Sequence, residues 1–336
     1  MTETLSKKPF ILAVDPQEPP AGLAGAVVAI GNFDGIHRGH LAVIRRAEAL
    51  AAKLGKPCAV LTFEPHPADF FRGERTVFRL TPLKDKAKTL EYLGLDGIIV
   101  VAFNAELAGM TAETFVTDIL LRRLDVSAVV AGYDFHFGAK RQGTPDFLKD
   151  SGRRHGFQVD IVERVASDLA GSDEAASSTA TRLALEAGDV DHAAHLLGHP
   201  FTITGPVLHG QALGRQLGFP TANLKPEGNC RLRHGVYAVR VRIDSAEILL
   251  DGIANYGRRP TVDDDGIPLL EIFLLDYSGD LYGKSLEVSF VAFIRGEEKF
   301  PSLDALKAQI AADVAQAHAL LAPPQEAKHR ADTKAQ

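Results

Sequence analysis

The sequence predicts two folded units in series: an α/β unit built on a parallel sheet, then a small antiparallel β-barrel followed by a helix. Three observations carry this prediction. In the first half, short apolar runs that do not alternate are separated by helix-patterned stretches, as in parallel strands covered on both faces. In the second half, segments of period two replace them, as in antiparallel strands. Between the halves, Gly198-His199-Pro200 puts a glycine after a last helical turn and a proline beyond it, a helix stop.

A length of 336 residues exceeds a typical single domain. Hydrophobic residues at 46% and charged residues at 24% suit folded units rather than a disordered chain. The net charge of -6 leaves no basic footprint, so no nucleic-acid partner is expected. Cys58 and Cys230 fall in different halves and make neither a disulfide framework nor a metal cluster. Lys7 and Lys8 precede no apolar signal segment, and no run is long enough to span a bilayer. The expectation is a cytoplasmic protein without a membrane partner, monomeric or a weak homo-oligomer.

The first strand, 26–30, runs into Gly31-Asn32-Phe33-Asp34-Gly35-Ile36-His37-Arg38-Gly39-His40, and Leu41, Ile44, Ala47 and Leu54 mark the helix that follows. A strand, a glycine-bearing turn and a helix start bring unpaired N–H groups and the positive end of a helix dipole to one point, which suits a phosphate. His37 and His40 are spaced His-x-Gly-His. Residues three apart share a helical face, so both imidazoles reach one anion, and Gly39 lets it approach the backbone. Further strands are expected at 58–63, 97–103, 127–131 and 158–162, and helices at 82–93, 111–124 with Thr111 as N-cap, and 145–155.

In such sheets ligands bind beyond the carboxyl ends of the strands, and polar residues gather there. Phe63-Glu64-Pro65-His66-Pro67 ends the second strand and Gly132-Tyr133-Asp134-Phe135-His136-Phe137-Gly138 the fourth. Ser177-Ser178-Thr179-Ala180-Thr181-Arg182 opens a further helix, with hydroxyls to cap it and Arg182 to hold a phosphate. Taken singly, Ser178 and Thr179 read as plain caps, and the prolines around His66 as turn-shapers. Taken together, the clusters point to one ligand site.

GNFDGIHRGH with the later SSTxxR resembles the nucleotidyltransferase superfamily that carries the HxGH signature on a Rossmann-like fold. FEPHP and GYDFHFG narrow the resemblance to the FMN adenylyltransferase module of the bacterial bifunctional riboflavin kinase/FAD synthetase family. The resemblance implies that the FMN phosphate attacks the α-phosphorus of ATP, that pyrophosphate leaves, and that no covalent enzyme intermediate forms. Catalysis is then alignment and charge neutralisation, with magnesium sharing the phosphate charge. By the same resemblance His37 and His40 are catalytic, and Asn32, Phe33, Asp34, Gly39, Ser178, Thr179 and Arg182 line the ATP site. His66, Asp134 and Phe137 contact the flavin. The chain departs from the family's usual pattern at Thr181, where a branched apolar residue is common, at Ala180, often basic, and at Asp134, usually Asn.

A short helix over 188–199 reads as a linker. His192, His195 and His199 share one face of it, but no carboxylate or cysteine completes a ligand set. Beyond it, period two marks Tyr237, Val239, Val241 and Ile243, then Leu269, Glu271, Phe273 and Leu275, then Leu286, Val288, Phe290 and Ala292. Ser302 caps a last helix with the apolar stripe Leu303, Leu306, Ile310 and Val314. Pro323-Pro324 stops it, and the polar tail 323–336 is expected to be disordered.

Two features of the second half carry chemistry. In the glycine-flanked loop 214–224, GRQLGFPTANL, Thr221 and Asn223 offer neutral oxygens two residues apart. They suit a magnesium ion that keeps most of its ligands from water and phosphate; taken alone, the loop reads as a Gly-Pro turn with polar filler. Glu271 alternates with apolar residues, and a carboxylate on an apolar face is desolvated, which suits a general base. A glutamate on an edge strand or paired with an arginine is the alternative. Gly279-Asp280-Leu281-Tyr282-Gly283-Lys284-Ser285 mimics a P-loop. It is one residue short between its glycines and precedes a strand pattern, so it is expected to be a hairpin turn.

GRQLGFPTANL, GVY at 235–237, GIANYGRRPT at 252–261 and LEIFLLDYSGDLYGK at 270–284 resemble the riboflavin kinase domain, a six-stranded antiparallel barrel with a C-terminal helix. The resemblance implies that Glu271 takes the proton of the riboflavin 5′-hydroxyl as it attacks the γ-phosphate of ATP. It implies that Gly214, Gly218, Pro220, Thr221 and Asn223 hold ATP, with magnesium on Thr221 and Asn223. Tyr256 stands where the family is usually aliphatic. The ligands implied are riboflavin, FMN and ATP, with Mg²⁺ as cofactor. The expected bounds are an extension at 1–24, an adenylyltransferase domain at 25–187, a linker helix at 188–199, a kinase domain at 200–322 and the tail. Two rivals are a nucleotidyltransferase for another phosphorylated substrate, which the second domain argues against, and a flavin-binding regulator that has lost adenylyl transfer.

Overall fold

The computed structural model describes residues 9–165, 175–209, 218–226, 229–258 and 268–322. Gly214 and the tail 323–336 lie outside them. The chain divides into two compact units, one drawn from Met1–Glu186, His192–His199 and Glu227–Arg231, the other from Ala187–Asp191, Pro200–Pro226 and Leu232–Gln336.

In the first unit the elements follow in the order β1 (Ile11–Val14), β2 (Val27–Ile30), α1 (Arg38–Leu54), β3 (Cys58–Glu64), α2 (Pro67–Arg72), α3 (Leu83–Leu93), β4 (Gly97–Ala102) and α4 (Ala105–Gly109). Then come α5 (Ala112–Thr114, continued as a π-helical stretch over Phe115–Arg123), β5 (Ala128–Gly132), α6 (Pro145–His155), β6 (Gln158–Val162) and α7 (Ser178–Ala187). Most of α8 (Val190–Leu197) also belongs here. The strands form one parallel sheet in the order β1-β4-β3-β2-β5-β6. Successive residues of a strand point to opposite faces, and both faces are covered. Val28, Ile30, Val129 and Ala131 pack with Phe115, Ile119 and Leu148 of α5 and α6. Val27, Ala29 and Val130 pack with Val43, Ile44 and Ala47 of α1 and Leu90 of α3. Burial on both sides is why these strands lack alternation.

Residues 11–14 were expected in an extension, yet they form β1 at the edge of the sheet. This strand has four residues and a half-buried pattern, too short a run to stand out as a periodic signal. It lies so close to β4 that a Cβ on Gly97 would sit 2.5 Å from the Ile11 carbonyl oxygen.

In the second unit β7 (Thr202–Pro206), β8 (Ala222–Leu224), β9 (Gly235–Ile243), β10 (Leu250–Gly257), β11 (Leu269–Leu274) and β12 (Ser285–Arg295) pair antiparallel in the order β7-β12-β9-β10-β11-β8. The two ends meet where Leu208 N donates to Asn223 O at 2.8 Å, which nearly closes a six-stranded barrel. Tyr237, Val239, Val241, Tyr256, Leu270, Ile272, Leu286, Val288 and Phe290 are buried. The closing helix, α9 (Leu303–Leu321), packs on Val236, Ala238 and Ile253 from the other side of the sheet.

Three details differ from the sequence reading. The register of β12 against β9 shifts between Phe290 and Ala292. One extra residue reverses the side-chain phase, so Ala292 packs with the α9 cluster. Leu303, the first helical residue, is 62% exposed, and the covered stripe of α9 runs instead through Ile310, Val314, Ala317 and Leu321. The P-loop mimic joins β11 to β12, which are not neighbours in the sheet, so it is a connection between separated strands rather than a hairpin turn.

Candidate active sites

In the first unit a cavity of about 1030 Å³ lies at the carboxyl ends of the strands. It spans β2 and β5, where the chain's strand order reverses direction, the usual ligand position of such sheets. Asn32, Phe33, Asp34, His37, Gly39, His40, His66, Asp134, Phe137, Ser178, Thr179 and Arg182 all line it.

The turn after β2 is strained and held from outside. Phe33 (φ 48°), Gly35 (φ 89°) and Ile36 (φ 43°) are left-handed, a conformation that costs a non-glycine residue on the order of 1–2 kcal/mol. Asp34, 1% exposed, fastens it. Its Oδ1 accepts from Leu80 N (2.9 Å) and Thr81 N (3.0 Å), and its Oδ2 accepts from Arg182 Nη2 (2.5 Å). Arg182 Nε also donates to Phe78 O (2.7 Å), and Ser178 Oγ donates to Asp34 O (2.8 Å). The start of α7 is thus tied to the turn. Ser177, not Ser178, caps α7, accepting from Ala180 N at 3.2 Å. Thr181 is fully buried, and its hydroxyl donates to Ser177 O at 2.9 Å, so this departure leaves no polar atom unpaired.

His37 is the N-cap of α1, its Nδ1 accepting from His40 N at 3.3 Å. A neutral ring that accepts at Nδ1 carries its proton on Nε2. The two imidazoles stack at 3.6 Å between centroids. A Cβ on Gly39 would lie 3.1 Å from His37 Cε1, so glycine keeps the stack unstrained. Burial pushes His37 down to about 4, against the raising pull of Asp34. His40 is pushed well below the usual imidazole value by burial, and further by His37 and Lys86. Both rings are therefore neutral at pH 7. His40 Nδ1 is buried without a hydrogen-bond partner among the described residues, an unmet demand that a ligand atom can satisfy.

Part of the lining is aromatic. Phe137 stacks on Phe135 at 5.5 Å and touches Phe115 at 5.1 Å, while Phe71 packs edge-on to Phe103 at 5.7 Å. His66 caps α2, its Nδ1 accepting from Ala68 N at 3.1 Å, and burial lowers its pKa. Asp134 is exposed. The cavity therefore brings imidazoles and a guanidinium together with aromatic rings. Sequence reasoning missed Lys86, whose Nζ donates to Asn32 O at 2.7 Å. The signal was present: a lysine on the apolar stripe of Leu83, Ala87 and Leu90.

In the second unit Glu271 pairs across the ladder with Asn223 of β8 on one side and Asn255 of β10 on the other. Leu270, Ile272 and Leu274 carry the buried phase of β11, so the alternation read from Leu269, Glu271 and Phe273 marks the opposite, half-buried face. That face also carries apolar residues because α9 covers part of it, with Phe273 in its cluster. Asn223 is 7% exposed. Pro220 and Thr221 line a separate recess of about 70 Å³ with Leu274, Tyr277 and Tyr282. Gly218 is left-handed (φ 90°), and Phe219 packs edge-on to Phe273 at 5.4 Å. Asn255 was not singled out from the sequence, although it sits inside a motif that was.

A parallel-sheet unit with paired histidines at a helix start and, later in the chain, a barrel with a carboxylate between two carboxamides define a two-unit transferase acting on nucleotide phosphates. Residues 20–180 match the family model for FAD synthetase, and residues 197–321 that for riboflavin kinase. A bifunctional riboflavin kinase/FMN adenylyltransferase of Pseudomonas fluorescens is 46% identical over 299 residues, 89% of this chain and 94% of the relative. One from Escherichia coli K12 is 42% identical over 290 residues, 86% of this chain and 90% of the relative. A solved structure from Streptococcus pneumoniae, described as a macrolide-efflux protein, matches with a TM-score of 0.79 at 30% identity, covering 92% of this chain and 99% of that one. The chain belongs to the bifunctional riboflavin kinase/FMN adenylyltransferase family. No helix among the described residues is long and apolar enough to cross a membrane.

Proposed function

We infer that the chain makes FAD in two steps, phosphorylating riboflavin to FMN in the second unit and adenylylating FMN in the first, with pyrophosphate released. The observation that carries the reading is the neutral, stacked His37–His40 pair beside Arg182, in one cavity with aromatic rings. A planar flavin suits the aromatic rings and a polyphosphate the imidazoles and the guanidinium.

In the first unit His37 Nε2–H donates to an ATP phosphate oxygen. His40 supplies the second contact from the same helix start, and Arg182 neutralises charge that grows as the FMN phosphate attacks. Asn32, Phe33, Asp34, Gly39, Ser178 and Thr179 shape the nucleotide side, and His66, Asp134 and Phe137 the flavin side. In the second unit Glu271 takes the proton of the riboflavin hydroxyl. Thr221 and Asn223 are oxygen donors of the kind Mg²⁺ accepts, and the ion would share the phosphate charge. Gly214, Gly218 and Pro220 complete the nucleotide loop. The adenylyltransferase domain takes in β1 and extends to about 187, the kinase domain occupies 200–322, and the protein works in the cytoplasm as a monomer or weak homo-oligomer.

Incubating the purified chain with riboflavin, ATP and Mg²⁺ and resolving the flavins by chromatography tests this. FMN should accumulate first and FAD after it. FMN without FAD would favour a regulator that has lost adenylyl transfer, and no flavin product would refute the reading.

A further inference from the structure

Lys86 lies behind the phosphate-binding turn and is 0% exposed. Its ammonium donates to the Asn32 carbonyl, which already accepts from Thr62 Oγ1 at 3.1 Å. The fold therefore does not need the lysine to satisfy that oxygen. The two carboxylates whose charge reaches Lys86 are engaged elsewhere. Asp34 is bonded to Arg182, and Glu64 to Arg79 at 2.7 and 3.1 Å. Burying a cation that makes one hydrogen bond among the described residues, to a neutral carbonyl, is unfavourable for stability, so its presence there calls for another cause. Asn32 itself lines the cavity, which puts the ammonium one residue's thickness behind the surface that faces the anion.

We propose that Lys86 is a positioning residue for ATP in the adenylyl-transfer site: it fixes the Asn32 carbonyl and holds positive charge behind the turn without touching the phosphates. The inference rests on the adenylyltransferase reading of that cavity. Burial lowers Lys86 to about 8, with Asp34 and Glu64 opposing the shift and Arg79 adding to it. Lys86 in turn helps keep His40 neutral. In the free enzyme the charge is then lost as pH rises through about 8, where ATP and FMN are already fully ionised. Since kcat/KM reports groups of the free enzyme, kcat/KM for ATP in FAD formation should decline across that pH.

The test measures kcat/KM for ATP with purified full-length wild type, Lys86→Met and Lys86→Gln, from pH 7 to 9.5, with riboflavin phosphorylation followed in the same samples. Wild type should decline above a midpoint near 8 toward the level of the variants, no more steeply than about tenfold per pH unit, the limiting slope for one ionisation. The variants should be at least tenfold lower at pH 7, flat with pH, and unchanged in kinase activity. Variants within twofold of wild type, or variants that keep the wild-type decline, would overturn the proposal. If neither variant folds, the wild-type profile decides: a flat profile overturns it, a decline centred near 8 supports it. Wild type that forms no FAD at any pH would instead refute the underlying reading.

Discussion

His37 does two jobs through its two nitrogens. Nδ1 closes the first turn of α1, leaving Nε2–H for a ligand, and burial keeps the ring neutral. The same burial has a stability consequence. The folded value, about 4, lies below the unfolded value of 6.5, so between these values the unfolded chain binds more protons. Stability is fully present above 6.5 and is lost as pH falls toward 4. From pH 7.5 to 5 this ring accounts for about 2 kcal/mol. His37→Asn keeps a capping side chain and should lose about that much less over the same interval, measured by hydrogen exchange of the β2 and β3 amides. Equal losses in both proteins would contradict it. At this scale the sequence was informative where spacing mattered: two histidines at His-x-Gly-His and an arginine after a Ser-Ser-Thr run converge on one cavity. Lys86 was overlooked because a lysine in a helical pattern is ordinarily assigned to the solvent face, and Ser177 was not told apart from Ser178 and Thr179 as the cap because three consecutive hydroxyls offer the same bond.

Secondary structure was legible where burial sets a period. Strands β2 to β6 of the first unit and the helix at 145–155 fall where the apolar runs put them. β1 escaped because it is short and at an edge, and Ala292 was placed on the wrong face because a bulge is a property of two paired strands. The closing helix shows the same limit. Of the stripe read as Leu303, Leu306, Ile310 and Val314, the last two pack on the sheet, yet Leu303 is exposed while Asp313, 2% exposed, lies on the covered face. Asp313 is held there by Arg295, bonded through Nε at 2.9 Å and Nη2 at 2.8 Å, and by Gln309 at 2.9 Å. Removing one member of a buried pair leaves the other uncompensated, at a cost of about 3 kcal/mol. Asp313→Ala should therefore lower the urea midpoint for loss of riboflavin phosphorylation substantially, whereas Leu303→Ala should shift stability by no more than about 0.5 kcal/mol. Equal midpoints for the two variants would show that the ion pair does not anchor the helix.

For the whole molecule, the sequence separates two units by a change of period, and each unit carries its own candidate site. The first site is drawn from β2, β3, β5 and α7, the second from β8, β10 and β11. The opening phosphate turn alone did not name an acceptor; the second unit did, because a riboflavin kinase supplies FMN. The barrel interior was legible in the alternation of β9 and β12, but the phase of β11 was not. Both of its faces carry apolar residues once α9 covers the outer one. The central claim is two chemically independent sites. Its most direct test is the flavin profile of His40→Ala and Glu271→Gln, each incubated separately with riboflavin and with FMN in the presence of ATP and Mg²⁺. His40→Ala should convert riboflavin to FMN at the wild-type rate and make no FAD. Glu271→Gln should make no FMN from riboflavin yet convert supplied FMN to FAD. Loss of both activities in either variant would contradict the two-site account.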